Sequence, residues 1–356
     1  MTNKWKKKLI ILTAVLMVWG LAACGSSLSE EKAGAAKQTE QDKQKDAKEQ
    51  EAPAELEKVT VILDYVPNTN HTGIYTALNR GYYEEEGMDV EVIEPTDGAT
   101  ATLVAQQKGN FGISYQEDVT IAKSSEDPLP IKTVAAIIQH NTSGFVSLAD
   151  SGIESPADFE GKTYAGWGGP GESAVLEACM AKEGADFSKL DMVISDGTGF
   201  EALGKSCDIM WFFEGWDSVM AEMNDCKLNY MECRQLDERL DYYTPVIITS
   251  DAQIESDPEM VSAFLRATQK GYKDVIEDPE GCAEILHSYA PDYDEEMLKK
   301  SQTYLAGKFM EDTDTWGEMK DEVWERYSSF LQEYGVIEKA LPPSDYYTNE
   351  FLDLKE

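Results

Sequence analysis

The sequence predicts an α/β protein folded as two lobes, joined by two crossover segments and finished by a helical C-terminal block. Three observations carry that expectation. Up to residue 139, apolar β-branched runs alternate with helix-forming stretches, so that each strand is followed by a helix. A polar, glycine-containing link at 140–145 breaks the rhythm, a second strand–helix set follows, and an apolar run at 242–250 brings the chain back. From Pro258 onward the pattern is almost wholly helical. The first lobe is therefore expected to hold 58–143 and 244–356, and the second 144–243.

The first element is an apolar run at 59–66, broken by Pro67-Asn68-Thr69-Asn70. A helix at 71–80 should end at Gly81, where a left-handed residue suits a helix C-terminus. After a turn at Gly87, 88–93 alternates as a second strand, which completes a parallel βαβ unit. The loop 64–72 then lies at the carboxyl end of the first strand, where open α/β sheets bind small molecules. Next come a helix at 100–108, a strand at 111–115, a helix at 116–123 and a strand at 131–139. In the second lobe, Ser155-Pro156 opens a short helix. Strands are expected at 163–167, 192–195 and 208–213, with helices at 173–182 and 217–223. Pro245 falls at an irregular point of the return strand 242–250. Helices at 259–277, 281–288, 295–305 and 315–334 should cover the first lobe.

The N-terminus carries its own message. Lys4, Lys6, Lys7 and Lys8 precede an apolar run at 9–23, too short for a comfortable membrane span of ~20 residues. The run ends in Leu21-Ala22-Ala23-Cys24-Gly25, which resembles a bacterial lipobox. Residues 1–23 read as a lipoprotein signal peptide, with Cys24 as the lipidated first residue of an extracytoplasmic protein anchored to the cell membrane. Residues 24–57 are rich in Ala, Glu, Lys, Gln and Asp; they read as a flexible tether. With 31 basic against 67 acidic residues and a net charge of −36, nucleic acid is disfavoured as a partner. No CxxC or CxxH spacing suggests a metal site. Besides Cys24 the cysteines are Cys179, Cys207, Cys226, Cys233 and Cys282, an odd set that leaves only a Cys226–Cys233 pairing open.

At the expected strand ends, flat rings alternate with acids. The candidates are Asp64 and Tyr65, Tyr115 and Glu117, Trp167, and Trp211 with Glu214. Asn68, Asn70 and His71 cluster in the turn that opens the first helix. Rings can stack on a planar heteroaromatic molecule, and a carboxylate can match its amino and ring-nitrogen edge. Each residue has a plainer use. Tyr65 could cap the sheet, Trp211 could be core, and Glu117 could serve its helix N-terminus. Glu214 is the acid hardest to dismiss, since a carboxylate after MWFF is costly without a partner. The loop Gly168-Gly169-Pro170-Gly171 resembles a phosphate cradle only weakly, because it lacks a nearby lysine.

The stretch NTNHTGIYTALNRGYYEEEGMDVEV (68–92) resembles the thiamine-pyrimidine (NMT1/THI5-like) solute-binding proteins of ABC importers. So do GNFGISYQEDV (109–119), AAIIQHNTSGF (135–145), MWFFEGW (210–216) and DYYTPVIITS (241–250). The resemblance implies a two-lobed periplasmic-binding-protein type II fold. It also implies a small aminopyrimidine cargo, of the formylaminopyrimidine or hydroxymethylpyrimidine type, delivered to the permease subunits of an ABC transporter. Members commonly have Trp where this chain has Tyr65. Proteins of the same fold carry riboflavin, thiamine or sulfonates, and a fungal pyrimidine synthase shares it too. That synthase's cofactor lysine, substrate histidine and cysteine cluster have no counterparts at 114–119 or 241–250. A binding protein without catalytic residues, cofactor or metal is therefore the expectation, with a structural lipoprotein as the remaining rival.

Overall fold

The structure is a computed structural model and describes residues 56–95 and 100–354. The expected leader, Cys24 and the tether through residue 55 lie outside the described residues. Ten strands follow in chain order: β1 (Glu57–Ile62), β2 (Met88–Ile93), β3 (Phe111–Ser114), β4 (Ile131–Ala136), β5 (Ser143–Leu148), β6 (Thr163–Gly166), β7 (Asp191–Ile194), β8 (Ile209–Phe213), β9 (Leu228–Glu232) and β10 (Val246–Ser250). They form two five-stranded sheets, ordered β2-β1-β3-β10-β4 and β7-β6-β8-β5-β9. The likeness between the sheets lies in their odd strand. β10 runs antiparallel between β3 and β4, and β5 runs antiparallel beside β8 and β9. Each is the strand by which the chain enters the sheet after crossing from the other.

The founding unit folds as expected. β1 and β2 pair in parallel from Glu57↔Met88 to Ile62↔Ile93. Between them a 3-10 turn (Thr69–His71) leads into the helix Thr72–Asn79, and Gly81 takes the left-handed conformation at φ 76°. One expectation is corrected, one strand is added and one open pairing is answered. Residues 143–145 belong to β5 rather than to a link, because Phe145 is core: it packs edge-on against Phe159, Tyr164 and Trp211. β9 is an additional edge strand, half-buried and of mixed polarity, so its apolar alternation is faint. Cys226 and Cys233 are free thiols, as are Cys179, Cys207 and Cys282.

The crossings lie side by side and are tied to each other. His140 meets Asp241 through Nδ1 at 2.7 Å and Asp312 through Nε2 at 2.9 Å, while the Asn141 amide donates to the Leu240 carbonyl at 2.9 Å. The Thr244–Pro245 peptide that ends the second crossing is cis. Helix Asp321–Glu333 does not simply cover the first lobe. Trp324 packs with Tyr243, Val246 and Tyr346 of the first lobe, whereas Tyr327, Phe330 and Leu331 join Phe145, Tyr164 and Trp211 of the second. Tyr327 stacks on Tyr242 at 4.1 Å and Arg326 donates to the Asp241 carbonyl, so this helix lies along the crossings. Its start is later than expected because 315–320 is not helical and Gly317 bridges Ala136.

The first lobe's core fixes the orientation of the founding helix. Phe111 of β3 stacks on Phe264 of helix Pro258–Glu277 at 3.8 Å. Thr72–Asn79 lies against the same long helix so closely that a Cβ on Gly271 would stand 2.0 Å from the Gly73 carbonyl. Alanine gains ~1 kcal/mol over glycine in helix propensity, but overpacking costs ~1–3 kcal/mol, and here the obstacle is backbone. Gly271→Ala is therefore expected to lower the urea midpoint of the chain. A raised midpoint would show that the two helices are not held at this separation.

Candidate functional site

β1 ends in a turn that builds one wall of the site. The Asn68 side-chain oxygen accepts the Asn70 N–H at 3.0 Å, and the Asn68 N–H donates to His71 Nδ1 at 3.2 Å. With its Nδ1 lone pair so used, the imidazole carries its proton on Nε2 and gives it to Asp64 Oδ1 at 2.7 Å. Tyr115, just past β3, donates its hydroxyl to Asp64 Oδ2 at 2.5 Å. Burial alone would push the Asp64 carboxyl up; the contacts from His71 and Tyr115 outweigh it and hold the group below its usual value. Burial, then the neighbouring Asp64, keeps the Tyr115 phenol protonated.

The facing wall comes from the second lobe. After β8, residues Glu214–Ser218 form a single π-helical turn, a wider turn that re-aims side chains and recurs at functional sites. It turns Trp216 and Asp217 inward. Asp217 Oδ2 accepts the Phe213 N–H at 2.9 Å, and burial pushes its carboxyl up to about 6. Between the walls lies a cavity of about 560 Å³, within the range of small-molecule sites. Seven aromatic residues line it: Tyr65, Tyr115, Phe200, Phe212, Phe213, Trp216 and Tyr293. Asp64, Asn68, Asn70 and Asp217 supply polar groups, together with the glycine-flanked turn Gly197-Thr198-Gly199 and the Thr244-Pro245 segment. Trp216 and Tyr293 meet edge-on at 5.1 Å.

Of the residues singled out in the sequence, Asp64, Tyr65, Asn68, Asn70 and Tyr115 line this cavity. His71 is fully buried behind Asp64, which it positions. Four others lie elsewhere. Trp211 alternates with Phe212 along β8, so it faces the lobe core against Phe145, and Trp167 covers its outer edge at 5.2 Å. Glu117 is half-buried where its helix meets the second lobe, accepting the Tyr327 hydroxyl at 2.5 Å. Glu214 is carried outward by the π turn; it accepts the Tyr304 hydroxyl at 2.5 Å and borders a separate depression. Asp217 holds the position expected of Glu214. Its signal was present as a second acid three residues on, but only the extra residue in the turn decides which acid faces inward. Gly197–Phe200 and Tyr293 carried no local signal at all.

Among the described residues no cluster of His, Cys, Asp and Glu is placed to hold a metal ion, and no helix is long and apolar enough to cross a membrane.

Two α/β lobes joined by paired crossings, with a ring-lined cleft between them, are the architecture of the periplasmic solute-binding proteins. Solved structures bear out the fold. A putative sulfonate ABC transporter's periplasmic sulfonate-binding protein from Methylobacillus flagellatus superposes with a TM-score of 0.60 at 19% identity, covering 83% of this chain and 93% of that one. The aliphatic sulphonate binding protein of Escherichia coli gives 0.62 at 11% identity, covering 84% and 94%. The chain belongs to the NMT1/THI5-like family, whose model matches residues 68–282. A formylaminopyrimidine-binding protein of Halalkalibacterium halodurans is 27% identical over 309 residues, 83% of this chain and 90% of that protein. A 4-amino-5-hydroxymethyl-2-methylpyrimidine phosphate synthase of Legionella pneumophila is 23% identical over 308 residues, covering 83% and 92%.

Buried acids of opposite character set the stability profile. Burial raises Glu117 from 4.5 to about 7 and Asp217 from 3.8 to about 6. The folded chain keeps these protons longer than the unfolded chain, so stability falls as pH rises from about 4 towards 7. Asp64 acts the other way: its contribution is present above 3.8 and is lost as pH falls below it. Urea midpoints of the ligand-free chain should therefore decline between pH 5 and 7.5, and Glu117→Gln should flatten that decline. An unchanged slope in the variant would remove Glu117 as its source.

Proposed function

We propose that this chain is the extracytoplasmic solute-binding protein of an ABC importer, and that its cargo is an aminopyrimidine precursor of thiamine. One observation carries the reading: the cavity is lined by seven aromatic residues and by two carboxylates from opposite lobes, Asp64 and Asp217. A planar pyrimidine offers faces to the rings and, along one edge, an amino donor beside a ring nitrogen. Asp217, raised to about 6, is suited to accept the amino N–H and share a proton with the ring nitrogen. Closure of the lobes would bring that edge and the Asp64 side together. The formylaminopyrimidine-binding relative supports this cargo; a riboflavin-binding protein of Chloroflexus aurantiacus, 22% identical over 329 residues, marks the alternative within the fold. Lipid attachment at Cys24 would keep the receptor beside its permease.

We read the site as binding without turnover. Among the described residues no lysine or cysteine lines the cavity, and His71 behind it is committed to Asp64. The synthase relatives make the opposite outcome testable: a Schiff-base absorbance band on adding pyridoxal phosphate would revive an enzyme.

Calorimetry of the chain with formylaminopyrimidine, hydroxymethylpyrimidine, thiamine, riboflavin and taurine decides the cargo. An aminopyrimidine should bind and taurine should not; riboflavin as the tightest ligand would overturn the reading. Asp217→Asn is expected to weaken aminopyrimidine binding at least tenfold. Tyr65→Ala should remove one stacking partner, worth ~0.5–1.5 kcal/mol. Unaltered affinity in Asp217→Asn would take that carboxylate out of the site.

A further inference from the structure

The glycine-rich loop that ends β6 is built like an anion cradle. Gly168 turns the chain at φ 80°, and the thirteen-residue helix Pro170–Lys182 starts directly after it. Backbone N–H groups that converge at such a turn, beside a helix N-terminus, are what phosphate and sulfonate oxygens bind. Here the cradle is occupied by the chain itself. Glu172 is fully buried. Its Oε1 accepts the Trp167 N–H at 3.1 Å and the Tyr164 hydroxyl at 2.6 Å; its Oε2 accepts the Gly168 N–H at 2.6 Å and the Gly169 N–H at 3.2 Å. A Cβ on Gly166 would stand 1.8 Å from Oε1, so the carboxylate is seated against bare backbone.

The loop adjoins the cleft. The Gly166 carbonyl accepts the Ser195 N–H at 2.7 Å, two residues before the Gly197–Phe200 segment on the cavity wall. From the first lobe, the Glu117 carboxyl lies against Gly171, with an oxygen 2.4 Å from where a Cβ would stand. An arriving anion would meet an acid already in place and a second acid beside it. To enter, it would have to expel a buried carboxylate held by four donors, tethered at high effective concentration.

We infer that Glu172 is a built-in anion that fills an oxyanion-binding loop beside the cleft and makes the receptor reject phosphorylated and sulfonated ligands. The cargo is thereby confined to unphosphorylated, uncharged or cationic molecules. Only the choice of pyrimidine probes below rests on the proposed cargo; the filled loop does not.

The test has two arms on the full chain. In the first, melting temperatures of wild type, Glu172→Ala and Glu172→Ser are followed against sodium sulfate and sodium phosphate, with sodium chloride at matched ionic strength. Sulfate stabilises proteins generally, so wild type supplies the baseline. The variants should melt lower in chloride and regain several degrees more than wild type in sulfate or phosphate, saturating in the millimolar range. Variants that track wild type would overturn the inference, because a merely structural glutamate gives no anion-specific rescue. In the second arm, wild type is titrated with hydroxymethylpyrimidine and with its phosphate ester. The ester should bind at least 100-fold more weakly, and Glu172→Ala should narrow that gap at least tenfold. Wild type binding the ester within tenfold of the alcohol overturns the inference even if neither variant folds. If wild type binds neither pyrimidine, the proposed cargo falls while the sulfate arm still decides the role of Glu172.

Discussion

A carboxylate at the buried end of a strand must be hydrogen-bonded or it will not stay ionised, and Asp64 is the group whose needs shape the first wall of the cleft. Its two oxygens are met by His71 and Tyr115, which come from different elements. His71 can serve only because Asn68 has already taken its other ring nitrogen, and Asn68 can do so only because the chain turns sharply at Pro67. The turn, the helix start and the end of β3 are thus held to one another through a single acid. What reaches the cavity is the outer rim of that arrangement: Tyr65, Asn68, Asn70 and the Tyr115 ring.

The turn also reaches across to the other lobe. The Thr69 and Ser301 hydroxyls meet at 2.6 Å, and Ser301 donates to the Gly215 carbonyl in the π turn. Glu214 and Trp216, the neighbours of Gly215, contact Tyr304 and Tyr293. Three consecutive residues of the second lobe therefore rest on the helix Glu295–Ala306 and the segment before it. A cleft on such a scaffold is shaped by how two walls meet, and these contacts fix how they meet in the form seen here.

The fold was legible in the sequence where local signals agreed. The apolar run of β1, its break at Pro67 and the left-handed Gly81 all pointed to one βαβ unit, and 88–93 alternated cleanly. The first wall of the site followed, because strand ends in α/β sheets carry ligands. The second wall was less legible for a definite reason. An aromatic-rich strand followed by acids could present either Glu214 or Asp217, and one extra residue in a π turn decides between them. Trp211 was misplaced by the same kind of one-residue alternation. Tyr293, Thr244 and the Gly197–Phe200 turn are brought in by long-range packing that no local pattern encodes. β5 was obscured because a strand that changes lobes reads like a linker until its aromatic residue is seen in the other core.

The stitched crossings have a mechanical consequence. Strands bound together through His140, Asp241 and Asn141, and flanked by a helix that rests on both cores, resist shear and twist far more than bending. Rotation about one line running beside Tyr242 and Tyr327 is the motion these ties oppose least. Any such rotation has to part the contacts of the π turn with Tyr293, Ser301 and Tyr304, so a substitution there alters the walls and the motion together.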